Sequence, residues 1–447
     1  MEYTLLFPQF GNLLITVVAF ILCLSIIVFV HEFGHYYVGK LSGIHAEVFS
    51  IGFGPVLLSL NDKYGTKWQI SAVPLGGYVK FLGDKNSASA PEIGLKSDKC
   101  EVSLTRATMQ GAPLWARFMT VAAGPLFNFL FSGFIFFIIY MNQGETKFPL
   151  TVEKVFDSPY QNQLEKGDIV KSINGFQLDE NFNEFDNLFK NSGTDEDFIY
   201  VVERNGQLVA IENVVQNIPR ISQVLPKSAA IAAGLEKGDV ILSLNSEKIK
   251  SFNNIKSFVE TSNGNAIEVE FWRDGEIRET LLKPLIIDVP SEAGGFERTY
   301  RIGIVSEYFP FEPATQKQSI LFAMFGSLES VYLVMEGSVK GLYHILLGNI
   351  SSCNLSGPIS IAETSGQMVK QGGMNYLWFI AVLSTAIGMI NLFPIPVLDG
   401  GHLLFYGIEA IIGEKPNPNL VNMFMTAGFV LLGGLMLFSI LNDFLCP

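Results

Sequence analysis

The feature that most limits what this chain can become is the run from residue 13 to 30, LLITVVAFILCLSIIVFV, which holds no charged residue and passes directly into His31-Glu32-Phe33-Gly34-His35. About 20 predominantly apolar residues let a helix cross the hydrocarbon core of a bilayer, so the run reads as a membrane helix. Its rival is a cleaved signal peptide, which needs a basic stretch ahead of the run and a small-residue site behind it. Residues 1–12 hold no Lys or Arg, and HEFGH follows instead of such a site. The rest of the chain repeats the apolar theme. Only 16% of its 447 residues are charged and 49% are hydrophobic, against roughly 25% charged in soluble domains. Further spans are expected near residues 114–141, 376–392 and 420–441.

Four spans put both termini on one side. Lys40, Lys63, Lys67, Lys80, Lys85, Lys96, Lys99 and Arg106 all lie between the first two spans. The positive-inside rule therefore assigns residues 38–113 to the cytoplasm and both termini, with the long segment of about 144–373, to the outside. A net charge of -13 speaks against nucleic-acid binding, whose electrostatic signature is a basic face. Cys23, Cys100, Cys353 and Cys446 show no CxxC spacing and indicate neither a zinc knuckle nor a disulfide framework.

The outer segment contains an internal repeat. LEKGDIVKSING from Leu164 and LEKGDVILSLN from Leu235 lie 71 residues apart. In each copy a Gly-Asp turn leads into an alternating strand, and Asn205-Gly206 and Asp274-Gly275 mark later hairpins. Two small mixed α/β domains are expected. They resemble the PDZ domains of bacterial proteases, most clearly along SAAIAAGLEKGD from Ser228. PDZ domains capture peptide ends by strand addition, but neither copy shows a clear carboxylate-binding loop. Capture of peptide termini and a steric filter both stay open.

The chemistry is concentrated at His31-Glu32-x-x-His35. Residues four apart share one helix face, so both imidazoles can bind one Zn2+ while Glu32 acts as general base. Ionisable groups at bilayer depth are expensive and functional by default. A third ligand should also be an acid set against an apolar span, and Asp399 in NLFPIPVLDGG qualifies, because prolines break the helix there and broken helices at membrane depth line cavities. Two imidazoles and one carboxylate leave a fourth position for water, the pattern of a catalytic zinc site. Asn391 is placed to donate to a tetrahedral oxyanion or else to satisfy a carbonyl freed by Pro394. His402 is a rival ligand with an outer role more in keeping with its place after Gly400-Gly401. His45 and His344 take no part.

With HEFGH at the first span and NLFPIPVLDGG at the third, the chain resembles the site-2 proteases, and its paired PDZ-like copies make it similar to the RseP (regulator of sigma E protease) type. That resemblance implies a polytopic α-helical membrane protein of about four transmembrane helices, with two inserted PDZ-like domains and a membrane-associated β-hairpin loop. The expected divisions are 1–37, 38–113, 114–141, 145–216, 217–290, a connector with amphipathic segments at 291–375, 376–402 and 419–442. It implies zinc on His31, His35 and Asp399, Glu32 as base, and substrate or oxyanion contact from Asn391. It further implies that the loop around Gly52, Phe53, Gly54, Gly76 and Gly77 pairs with an extended substrate, and that Asn128 of GPLFNF touches substrate or serves helix packing. By the same resemblance, substrates are single-pass membrane proteins of the anti-sigma-factor type, and remnant signal peptides. The protein would sit in the bacterial inner membrane, with periplasmic PDZ domains and an active site near the cytoplasmic side. Leu355-Ser356-Gly357-Pro358-Ile359 recurs in the family, and no physical role follows from its residue types.

Overall fold

The computed structural model describes residues 13–83, 106–160, 163–178, 198–214, 218–290, 296–307 and 309–445. Lys85, Lys96, Lys99, Cys100 and Cys446 of the sequence argument lie outside them. Among the described residues the helices are α1 (Leu13–Leu41), α2 (Leu114–Gln143), α3 (Ala229–Ala232), α4 (Phe252–Thr261), α5 (Ile320–Leu346), α6 (Pro358–Lys370), α7 (Gly373–Leu392), α8 (Asp399–Ile412) and α9 (Pro418–Leu445). The chain divides into two compact units, one of Met1–Ile139, Leu321–Leu346 and Ser352–Pro447, the other of Tyr140–Ile320 and Leu347–Ser351.

Among the described residues five helices, α1, α2, α5, α7 and α9, are long and apolar enough to cross a membrane. Four were expected. The fifth, α5, occupies the stretch read as a connector, because Glu329, Glu336 and Lys340 leave it no uncharged run of spanning length. The segment expected as one piece at 376–402 is also divided. Pro394 and Pro396 cannot continue a helix, so α7 stops at Leu392 and α8 restarts at Asp399.

Along α1 the buried positions Thr16, Ala19, Cys23 and Ile27 follow steps of three and four. The same stripe continues through His31, His35 and Gly39, which turns both imidazoles toward protein while Leu14, Val18 and Leu22 face outward. Small residues and hydroxyls join the helices, as expected where lipid removes the hydrophobic drive for association. Tyr376 donates to Ala19 O at 2.6 Å, Ser132 to Ala381 O at 2.8 Å and Ser384 to Asn128 O at 3.0 Å. These pairings make α1 and α7 run the same way and α2 the opposite way.

Between α1 and α2 stands an antiparallel hairpin of β1 (Ala46–Asn61) and β2 (Lys67–Phe81). Its turn is closed by Asp62, whose carboxylate accepts from the backbone of Tyr64 and Thr66 at 2.8 and 2.9 Å. Phe49 stacks on Trp68 at its base, while Val56, Leu57, Leu58 and Leu60 are exposed.

The Leu355–Ile359 motif acquires a role here. It forms the start of α6, whose unsatisfied N–H groups receive a carboxylate from the end of α9. Asp443 accepts from the backbone of Gly357, Ile359 and Ser360 at 2.9, 3.0 and 3.2 Å and from the Ser360 hydroxyl. A Cβ on Gly357 would collide with that carboxylate. Cys353, just upstream, is disulfide-bonded. Cysteine spacing did not reveal this, since disulfide connectivity cannot be deduced from sequence alone.

The second unit shows its duplication in full. Strands β3 (Glu145–Thr146), β4 (Val152–Val155), β5 (Ile169–Ile173), β6 (Phe176–Gln177), β7 (Phe198–Arg204) and β8 (Gln207–Val214) precede β9 (Ile221–Val224), β10 (Val240–Leu244), β11 (Glu247–Lys248), β12 (Ile267–Arg273) and β13 (Glu276–Leu282). The sheets run β6-β5-β7-β8 and β11-β10-β12-β13, the same order in both copies. A hairpin of β14 (Leu285–Pro290) and β15 (Phe296–Arg301) follows, then β16 (Ile304–Ser306), β17 (Phe311–Pro313) and β18 (Thr315–Gln316).

The copies are nested rather than consecutive. β16 pairs with β9, β17 with β4 and β18 with β3, and Phe309 and Phe311 complete the core of the first copy around Tyr200. Expected boundaries of 145–216 and 217–290 therefore miss the strands that close each copy. In both, the Asp of the Gly-Asp turn is buried, at 1% exposure for Asp168 and 0% for Asp239. Each is gripped by an arginine, Arg204 at 2.7 Å and Arg273 at 2.6 Å, through two nitrogens.

Candidate metal centre and active site

Three potential ligand atoms converge where α1, α2 and α8 meet. Asp399 Oδ2 is 3.1 Å from His31 Nε2 and 3.5 Å from His35 Nε2, and the two ring nitrogens are 3.2 Å apart. Among the described residues this is the one group of three or more His, Cys, Asp or Glu side chains able to hold a metal ion. His35 Nδ1 lies 2.9 Å from Thr120 O. A carbonyl can only accept, so Nδ1 carries a proton, and in the neutral ring that a metal ligand must be, Nε2 is the lone pair. Asp399 Oδ2 is buried and receives no well-directed hydrogen bond. Acceptors gathered this closely repel unless a cation lies between them. Ligand atoms about 2.0–2.1 Å from one tetrahedral zinc would be about 3.3 Å apart, which is the spacing of these three atoms.

The neighbours of the rings complete the argument. Asn128, fully buried in α2, places its amide nitrogen 3.2 Å from His31 Nδ1, while its Oδ1 is buried without a partner. With the amide turned the other way, Oδ1 would accept from His31 Nδ1–H. His31 Nε2 is then also a free lone pair, the usual arrangement of a metal-bound histidine. Asn128 thus sits behind a candidate ligand.

Gly124 brings the α2 backbone against both rings, for a Cβ there would lie 2.3 Å from His35 Nε2 and 2.9 Å from His31 Cε1. Gly34 performs the reciprocal service from α1, with Ala123 O at 2.5 Å from its Cβ position. Gly400 and Gly401 fold the Phe393–Leu398 loop back over the start of α8, their Cβ positions meeting Phe393 O, Leu392 O and Ile395 O.

Glu32 is buried at 7% exposure and its carboxylate is bonded by the Val79 backbone. Gly77 packs against it, a Cβ there meeting Ser50 O at 2.7 Å, Val28 at 2.8 Å and Glu32 Cγ at 3.1 Å. The β2 strand is thereby brought to Glu32. The other hairpin positions act within the hairpin. Gly52 and Gly54 take φ of +86° and +84°, and Gly76 lies under the Phe53 ring. Asn391 is half-buried on the last turn of α7. His402 has a buried Nε2 without a partner.

Sequence reading missed Thr120, which acts through its carbonyl, and took Gly124 only as part of GPLFNF, not for the side chain it lacks. It also missed the buried pair Arg117–Glu409, bonded at 2.6 and 2.9 Å. A signal for the last was present, since two opposite charges stood in apolar helices.

The sequence profile of peptidase family M50 matches residues 19–435. The chain is 30% identical over 461 residues to the regulator of sigma-E protease RseP of Salmonella typhimurium (strain 14028s / SGSC 2262), covering 97% of this chain and 99% of that protein. It is 33% identical over 442 residues to a Rhizobium meliloti (strain 1021) protein bearing a zinc metalloprotease name, covering 97% of each. Among solved structures, the PDZ domain of an SdrC-like protein from Listeria monocytogenes aligns at 18% identity and a TM-score of 0.17, covering 21% of this chain and 90% of that one. That likeness is too slight to define the fold of either copy.

Proposed function

The chain belongs to peptidase family M50 and is a zinc metalloprotease, and from that premise we propose that it is an intramembrane endopeptidase of the site-2 type. His31, His35 and Asp399 would hold the zinc. The observation that carries this reading is the convergence of their three ligand atoms within 3.1–3.5 Å on the inward stripe of an apolar helix. When bound, zinc polarises the scissile carbonyl and makes a water more acidic. Glu32 takes that water's proton and passes it to the leaving amine. Thr120 and Asn128 fix the imidazole orientations, and Asn391 serves the oxyanion or a carbonyl freed at Pro394.

A helical substrate hides its peptide bonds in its own ladder. Strand addition to the β1–β2 hairpin, whose Gly77–Val79 stretch borders Glu32, would hold an unwound segment beside the base. Substrates in this reading are single-pass membrane proteins of the anti-sigma-factor type already shortened outside, together with remnant signal peptides. The nested copies are read as PDZ domains that take peptide termini or exclude substrates with bulky outer parts. The chain's place is the bacterial inner membrane, with the insert in the periplasm and the active site toward the cytoplasm.

Helix directions support four crossings rather than five. α1 and α7 enter from the same face because Ala19 meets Tyr376, and antiparallel α2 ends on that face. The insert's ends are paired through β3 and β18. On this reading the chain between α2 and α7 starts and finishes on one side, and α5 is not a lone crossing.

The test is cleavage of a tagged single-span substrate, truncated on its outer side, in membranes carrying the wild-type chain or Glu32→Gln, with zinc measured in both. Loss of cleavage with retained zinc is expected. Equal cleavage by both would remove Glu32 from the mechanism.

A further inference from the structure

Arg117, in the first turn of α2, and Glu409, in the last turn of α8, form a mostly buried ion pair. The side chains are 9% and 12% exposed. Arg117 Nη1 donates to Oε2 at 2.9 Å and Nη2 to Oε1 at 2.6 Å, while Nε donates to Ala112 O at 3.2 Å. The guanidinium also lies 5.1 Å from the Tyr406 ring centre, one turn before Glu409. All three guanidinium nitrogens of Arg117 donate.

We propose that this pair is a positioning device for Asp399. Glu409 sits on the same helix as Asp399, ten residues on, or about 15 Å at 1.5 Å per residue. A tilt of α8 by about 4° about the pair would carry Asp399 about 1 Å, whereas ligand distances at a metal tolerate about ±0.2 Å. α8 has 14 residues, too few to span a bilayer. In lipid, apolar contact alone orients such a helix weakly, and a bidentate fork fixes both distance and angle. The arrangement also couples the ligands. Arg117 lies one turn before Thr120, whose carbonyl holds His35, so one short stretch of α2 places His35 directly and Asp399 through Glu409.

The inference rests on the zinc reading of the His31, His35 and Asp399 site, and its test separates the two. Full-length wild-type, His35→Ala, Glu409→Gln, Arg117→Lys and the reversed pair Arg117→Glu with Glu409→Arg are purified in detergent. Zinc affinity is measured against a competing chelator, and thermal melting is measured without zinc. Glu409→Gln is expected to weaken zinc binding about tenfold, the low end for outer partners of metal ligands, with activity recovered in excess zinc and a lowered metal-free melt because Arg117 is left unpaired. Arg117→Lys, which keeps the charge pair but loses the fork, should show the same loss of affinity with metal-free melting closer to wild type, and it carries the test if Glu409→Gln does not fold. Recovery of affinity in the reversed pair would mark the pairing itself as the cause. A lowered melt with unchanged zinc affinity would reduce the pair to a structural tie and overturn the proposal. Wild-type zinc binding by His35→Ala would instead overturn the zinc site on which it stands.

Discussion

Gly124→Ala isolates the geometry of the site from its chemistry, because it alters no ligand, base or charge. An alanine Cβ would sit 2.3 Å from His35 Nε2, 2.4 Å from His35 Cε1 and 2.9 Å from His31 Cε1. Real Cβ contacts begin near 3.0 Å, so the His35 ring must yield by at least about 0.7 Å. It cannot swing freely, for its Nδ1 is tied to Thr120 O at 2.9 Å and Thr120 lies one turn away on the same helix. A shift of that size exceeds the tolerance of a metal–ligand bond several-fold. We expect zinc affinity to fall at least 100-fold, about 2.7 kcal/mol. The substitution should not harm α2 itself, since Ala favours helix over Gly by about 1 kcal/mol. The assay is zinc content of the full-length chain after dialysis against a chelator, beside cleavage of a single-span substrate and the helical signal in circular dichroism. An alanine variant that folds and retains zinc and activity at wild-type levels would refute the claim that Gly124 is required by close approach to the two rings.

Three further outcomes follow from the same structure. Asn128→Leu should weaken zinc binding about 10- to 100-fold, whereas Asn128→Asp, which keeps an acceptor for His31 Nδ1–H, should lose much less; equal losses in chelator titrations would argue for a packing role instead. Burial alone would raise the Asp168 carboxyl, but hydrogen bonds from Arg204 and the Glu165 backbone, with the Arg204 charge, hold it below its usual 3.8. A depressed carboxylate contributes stability that is complete above its unfolded value and lost as pH falls through the folded one. The insert should therefore melt at a constant temperature from neutral pH down to about 5 and weaken only below about 4. Asp168→Asn should cost about 2–3 kcal/mol and flatten that acid limb in thermal melts of the full chain. Asp443→Ala strips the acceptor from the start of α6 and should cost about 1–2 kcal/mol, read as faster proteolysis near the end of α9; unchanged cleavage there would mean the carboxylate does not anchor that helix.

What sequence disclosed and what it hid divide along a physical line. His31, Glu32, His35 and Asp399 could be picked out because each is an ionisable residue beside an apolar run, where water cannot compensate it, so its cost is visible without knowing the fold. Repeated EKGD turns were visible for a similar reason, since identical local chemistry recurs in identical local structure. Hidden features all depend on what another segment supplies. Asp168 finds Arg204 across a sheet, β17 returns to close a copy that began at β4, and Asp443 finds the N-terminus of α6. α5 was hidden by its three charges, which interrupt the run without shortening the helix.

Asn128 shows how that division bears on function. From sequence it was a polar residue in a membrane helix, equally fit to touch substrate or to pack, because residue type does not say which way the side chain is used. In the fold its amide is spent on His31, opposite to where Thr120 O is spent on His35. α2 contributes no ligand, yet it holds both imidazoles by their outer nitrogens and presses on both rings with Gly124. If that is its purpose, the demand on α2 is for one amide, one carbonyl and one absent side chain at successive turns, positions 120, 124 and 128. A four-residue spacing is what an α-helix offers to a partner helix that itself presents histidines four residues apart. The HExxH spacing on α1 therefore implies a matching spacing on whichever helix supports it, and here that helix carries Thr120, Gly124 and Asn128.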